Sequence, residues 1–124
     1  MQGPKTEVKP AGDVMKLENL AIGAIDWSAI PVVVQSGATG TAAARTCSCG
    51  DVRLRLVAYS RGYKADHWCA KDHILHVLAG GLVIEHQDDT RTALSSGASW
   101  HAPDDAGPPH RVLCENGATV FIVD

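Results

Sequence analysis

Turn signals recur along this 124-residue chain about every eight to twelve residues, and short β-prone runs fill the gaps between them. Val52-Arg53-Leu54-Arg55-Leu56 alternates apolar and charged residues, the pattern of a half-buried strand, and continues through Val57-Ala58-Tyr59. Ser60-Arg61-Gly62 turns it. Asn116-Gly117, set between runs at 111–115 and 118–123, is the strongest two-residue hairpin signal a sequence offers. Neither a convincing amphipathic helix, a tandem repeat nor a domain linker interrupts the pattern. An all-β sandwich or barrel is the fold class that follows.

The remaining runs fit the same plan. A strand is expected over 41–47, with a turn at Ser48-Cys49-Gly50-Asp51. Ile74-Leu75-His76-Val77-Leu78 runs to Ala79-Gly80-Gly81, and Leu82-Val83-Ile84-Glu85-His86 reads as a separate strand. Further runs at 91–94 and 98–102 are separated by Ser95-Ser96-Gly97, and the second stops at Pro103. Nearer the start, Asp26-Trp27-Ser28 reads as a turn. Ile30-Pro31-Val32-Val33-Val34 reads either as an interface segment or as one more core strand. Residues 1–14 carry almost nothing to bury and read as a disordered extension, leaving one domain over 15–124.

Composition removes several classes of function. A net charge of -3 gives no electrostatic reason to expect nucleic acid or an anionic membrane. No apolar run approaches the roughly 20 residues of a membrane-spanning helix, and the first residues lack a signal-peptide plan. A cytoplasmic location is the expectation. Four cysteines (Cys47, Cys49, Cys69 and Cys114) allow two disulfides, but the size of the chain and the absence of an export signal favour reduced thiols. Cys47 and Cys49 form a C-x-C pair, a weak soft-metal signal without neighbouring ligands. A strand end approaching a turn explains it better.

The chemistry concentrates in Asp66-His67-Trp68-Cys69-Ala70-Lys71-Asp72-His73. His67 and Cys69 are two apart, so an extended strand points both to one face. His73 opens the next run, and His110 lies beyond a Pro/Gly loop. These four side chains are the candidate metal ligands: His67, Cys69, His73 and His110. Trp68, between two of them, should face the other way and pack. His76 falls on the opposite face from His73, His86 belongs to a solvated hairpin end, and His101 is a lesser candidate for a barrel mouth. Arg53 and Arg55 read as a solvated face, unless a polar interior uses one for a carboxylate. Cys114 shares parity with His110 but lies about 13 Å along the strand, too far for a common first shell.

Together these residues resemble the cupin superfamily of jelly-roll (double-stranded β-helix) barrels. Gly62, His67, Cys69, His73 and Gly80 occupy the places of the first cupin signature, whose usual ligands are two His and a Glu. Gly97, Pro103, Gly107 and His110 follow the second signature, with a longer loop before His110 and with Cys114 where an Asn is usual. Asp66-His67-Trp68-Cys69, with Gly62-Tyr63, Asp26-Trp27 and the Phe121-Ile122-Val123-Asp124 ending, is similar to the small bacterial cupins named for a DHCW motif, a group without an assigned reaction.

The resemblance implies a single-domain cupin with a divalent transition metal at three imidazoles and one thiolate. That donor set favours iron or zinc over magnesium or calcium. It also implies a small polar ligand or substrate, an oxygenase or isomerase type of reaction, and a homodimer. The alternatives are a non-catalytic ligand-binding or sensing barrel with a structural or absent metal, and a redox sensor built on Cys69. No separate general base stands out, and Asp66, Asp104 and Asp105 read as turn or surface residues.

Overall fold

In the computed structural model, which describes residues 19–70, 73–103 and 107–124, a 3-10 turn at Trp27–Ala29 precedes nine strands. They are β1 (Val33–Ser36), β2 (Thr41–Cys49), β3 (Val52–Tyr59), β4 (Tyr63–Lys64), β5 (Ile74–His86), β6 (Arg91–Ser95), β7 (Ser99–His101), β8 (His110–Cys114) and β9 (Ala118–Val123). Every pairing is antiparallel, in the order β1-β2-β3-β9-β5-β8-β4, with β6 and β7 also on β5. The all-β expectation holds. The proposed extension, residues 1–14, and the start of the expected domain lie outside the described residues.

β5 organises the rest. Two runs that read as separate strands form one of 13 residues, because the glycines between them bend the strand without ending it. Its first half pairs with β9 and β7, and its second half with β6 and β8. A register shift between Val77 and Ala79 precedes Gly80, whose φ of 76° is one that residues with a Cβ rarely adopt.

The segment Asn116-Gly117 differs from its sequence reading. β8 and β9 do not pair with each other; they run end to end along β5, β9 from Ile74↔Val123 to Gly80↔Ala118 and β8 from Val83↔Leu113 to His86↔His110. The break between them lies beside the β5 bend, where a Cβ on Gly80 would come within 2.3 Å of the Gly117 carbonyl oxygen. The two glycines make a corner, and a corner needs the same backbone freedom as a hairpin. The tight hairpin is elsewhere, at Gly50-Asp51, where Cys49 pairs with Val52. β2 therefore runs two residues past its expected end.

Alternation sends Val120 and Ile122 of β9, Leu75 and Val77 of β5, and Val112 and Cys114 of β8 to one shared interior with Val57, Leu82, Ile84 and Leu94. Burying each large apolar side chain contributes about 1.5–3 kcal/mol. The phase of β3 is the surprise. Arg53 and Arg55 share parity with buried Val57 and half-buried Tyr59, so the arginines face inward and Leu54 and Leu56 face outward.

The outer leucines lie on a face that is not bare. Leu56 pairs with Phe121, which meets Trp27 edge-on at 6.3 Å, and Arg45 holds the Trp27 and Ile30 carbonyl oxygens. The chain before β1 thus lies over that face, and the solvated-face reading of the arginines gives way. β1 is the sheet edge, and Val32, Val33 and Val34 are 44%, 59% and 59% exposed, which removes the core-strand alternative for this segment. No helix among the described residues is long and apolar enough to cross a membrane.

Candidate functional site

The interior is not filled by apolar side chains throughout. On β2 the inward positions opposite Val57 and Tyr59 are Ala44 and Ala42, too small to reach the facing sheet. They help to leave a cavity of about 300 Å³. Its walls carry Arg53, Arg55, Tyr59 and Tyr63 together with His67, Cys69 and His110. Three of the four expected ligands therefore share one cavity with three arginines, Arg53, Arg55 and Arg111, and two tyrosines.

Cys69 and His110 are brought together by the backbone. The Cys69 N–H donates to the His110 carbonyl at 2.7 Å, and the His110 N–H donates to the Cys69 carbonyl at 2.8 Å. Residues that exchange both bonds lie directly opposite and point their side chains to the same side. The next strand extends the row, since His86 pairs with His110. The Trp100 ring packs 4.6 Å from His110 and 6.2 Å from His86, with the two imidazoles 6.0 Å apart. His86 Nδ1 is buried and has no hydrogen-bond partner among the described residues. His86 is thus an interior neighbour of the site, and its reading as a solvated hairpin end is corrected. The hairpin geometry explains the miss: His86 N–H still bonds Thr90 at the turn while the ring swings inward beside His110.

His67 and His73 are held differently. His67 is exposed at the rim, its Nδ1 2.7 Å from Asp66 Oδ1, and this hydrogen bond holds the Asp66 carboxyl below the usual carboxylate range. His73 does not line the cavity; its Nδ1 lies 3.2 Å from the Ala102 carbonyl oxygen. Carboxylate and carbonyl oxygens can only accept, so each Nδ1 is a donor, and the tautomer that fits leaves the lone pair on Nε2. That is the arrangement of a metal-ligating histidine, whose second nitrogen is fixed by an acceptor. Among the described residues, however, no three His, Cys, Asp or Glu side chains converge on a point that would hold an ion.

The other candidates separate cleanly. Trp68 faces away from the cavity, with the Arg111 guanidinium 4.3 Å above its ring. Arg111 and Arg91 both bond Glu85, which is 7% exposed on the outer side of β5, and the two cations hold its carboxyl below its ordinary range. His76 lies between buried Leu75 and Val77 and turns outward to Ser99 Oγ. His101 is exposed and does not line the cavity. Cys114 is buried, donates to the Gly81 carbonyl, and has its thiol pushed up by burial, which suits an inert core position.

The arginines were the residues sequence reasoning undervalued. Arg53 and Arg55 both reach the Asp124 carboxylate at 2.8 Å, and that carboxylate is almost wholly buried. The available signal was parity, because both arginines are in phase with Val57 and Tyr59.

No family model and no curated protein matches the sequence. Solved structures do match. A RmlC-like cupin from Shewanella frigidimarina superposes with a TM-score of 0.62 at 13% identity, covering 85% of this chain and 91% of that one. A sugar phosphate isomerase of the cupin superfamily from Silicibacter pomeroyi gives 0.63 at 16% identity, covering 82% and 74%. Fe(II)-HppE with an alternative substrate gives 0.66 at 13% identity, covering 83% of this chain and 60% of that one. Such low identities speak for the fold alone, and the fold is that of the cupin superfamily.

Proposed function

We propose that this cupin barrel binds a divalent transition metal, iron or zinc, through His67, Cys69, His73 and His110, and takes a small polar molecule into the adjoining cavity. One observation carries the reading: a single cavity gathers His67, Cys69 and His110 beside Arg53 and Arg55. The donor chemistry fits such a metal, since imidazole nitrogens and a thiolate suit iron or zinc, and His67 and His73 each have Nδ1 committed to an oxygen acceptor. The Fe(II) protein among the structural neighbours supports the choice of metal class by analogy of fold.

A bound metal supplies Lewis-acid polarisation of a ligand oxygen. The chain's own residues do the rest. Arg53 and Arg55, clamped on Asp124, place guanidinium cations on the cavity wall and favour a polar or anionic ligand head. Tyr59 and Tyr63, with ring centroids 4.7 Å apart, wall the space beside them. An oxygenase or isomerase type of reaction on a small organic molecule is the catalytic form of this proposal. Its non-catalytic form is a ligand-binding barrel with a closed, four-ligand zinc site.

Elemental analysis of tag-free protein, with and without anaerobic reconstitution, tests the metal. Near-stoichiometric iron or zinc in the wild type, lost in Cys69→Ser, is expected. No metal in either preparation removes the metal from the proposal. A homodimer belongs to the same reading, with the exposed β1 edge at Val32–Val34 as its contact. Light scattering should then give twice the chain mass, falling to the monomer in Val33→Lys; a monomeric wild type contradicts it.

A further inference from the structure

At the far end of the β2–β3 hairpin the Cys47 and Cys49 sulfurs lie 3.1 Å apart. Both thiols are free and half-buried, and both point to the outer side of the sheet, away from the cavity. Residues two apart on one strand share a face, but a regular strand does not bring their sulfurs this close. The strand closes here onto the Gly50-Asp51 turn, where Gly50 has a φ of 60°. The cross-strand partners are Leu54 and Val52, so the pair sits among aliphatic neighbours.

We infer that Cys47 and Cys49 form a dithiol site that closes reversibly to an intrastrand disulfide when it meets a low-molecular-weight disulfide. In the first step one protein thiolate attacks a sulfur of the small disulfide, forming a mixed disulfide and releasing one small thiolate. In the second, the neighbouring protein thiolate attacks the protein sulfur of that mixed disulfide and releases the other small thiolate. The protein loses two electrons and two protons, the small disulfide gains them, and two small thiols leave.

Proximity makes the second step intramolecular, so the mixed disulfide should not accumulate. The hydrogen bond between the two sulfurs, the largest influence on Cys49, pushes its thiol up. A chelated soft metal is the less favoured occupant. A tetrahedral metal would need further donors, and among the described residues no group of three His, Cys, Asp or Glu surrounds a common point. The inference is independent of the metal proposal, because neither sulfur lines the cavity.

Sequence makes the test direct. Cleavage after Arg45 and Arg53 releases one peptide, 46–53, that carries both thiols and neither Cys69 nor Cys114. Full-length protein is treated with glutathione disulfide, its remaining thiols are alkylated, and the peptide is weighed. The expected result is a wild-type peptide lighter by two hydrogens, restored by dithiothreitol, while Cys49→Ser keeps a stable glutathione adduct on Cys47. A wild-type peptide that stays a dithiol, or that carries a lasting adduct, overturns the inference. The wild-type arm stands whether or not the serine variant folds.

Discussion

The two sides of the strand pair formed by β8 and the second half of β5 are built on opposite principles. On the outer side Arg91, Glu85, Arg111 and Trp68 form a chain of contacts, each charge meeting its complement. On the inner side, one residue along each strand, His86 and His110 face each other beside Trp100, and across the bridge Cys69 joins His110 at the cavity. The outer contacts satisfy one another and need nothing added. The inner groups are imidazoles and a thiol, and two of them, His110 and Cys69, line the cavity. In the proposed function the outer side is scaffold and the inner side is where the ligand would sit.

The contrast can be broken from either side. The largest effect is expected below the inner groups: Ile84→Ala opens a cavity at a position with 0% exposure and should cost about 2–5 kcal/mol in denaturant unfolding. A loss under about 1 kcal/mol would mean that this interior is loosely packed. Next comes Glu85→Gln, which keeps the shape and removes the charge. Arg111, then Arg91, hold the folded Glu85 carboxyl below its unfolded value, so its contribution is present above the unfolded pKa and lost as pH falls through the folded one. Wild-type and variant stabilities should therefore differ at neutral pH and converge as the pH falls from the unfolded glutamate value of about 4.3 through the lower folded one. A difference that stays constant with pH would contradict the ion-pair account.

Trp68→Ala should cost about 1 kcal/mol through the lost cation–π contact. It should also raise hydrogen exchange at the Cys69 and His110 amides, because Trp68 anchors that strand from outside. The smallest stability change is expected at the inner rim. His67→Ala, at a side chain 77% exposed, should shift stability by no more than about 0.5 kcal/mol while weakening metal uptake. Large destabilisation there would make His67 a structural residue.

Much of this was legible in sequence, and the losses have physical causes. Strand positions came from β-prone runs between turn signals, and β9 was placed residue for residue because Asn116-Gly117 marks where it begins. Alternation on β3 points the leucines to the core, and the structure reverses that face. They sit instead on an outer face that Trp27 and Phe121 approach, and local alternation does not show which face a distant segment lies over. Asn116-Gly117 announced a backbone reversal of the kind hairpins use, and the structure uses it at a corner beside Gly80. The Cys69–His110 pairing joins residues 41 positions apart, so no short-range pattern could give it. What suggested it was the resemblance of both segments to cupin signatures. His86 had no such signal and entered only through its register with His110.

Cobalt(II) titration of the reduced protein under anaerobic conditions tests the central claim most directly, because thiolate ligation produces a near-ultraviolet charge-transfer band that imidazole and carboxylate ligands do not. The account predicts a band that saturates at one equivalent in the wild type, persists in Cys47→Ser, and disappears in Cys69→Ser. No band in the wild type, or a band that survives in Cys69→Ser, would contradict a metal site built on Cys69.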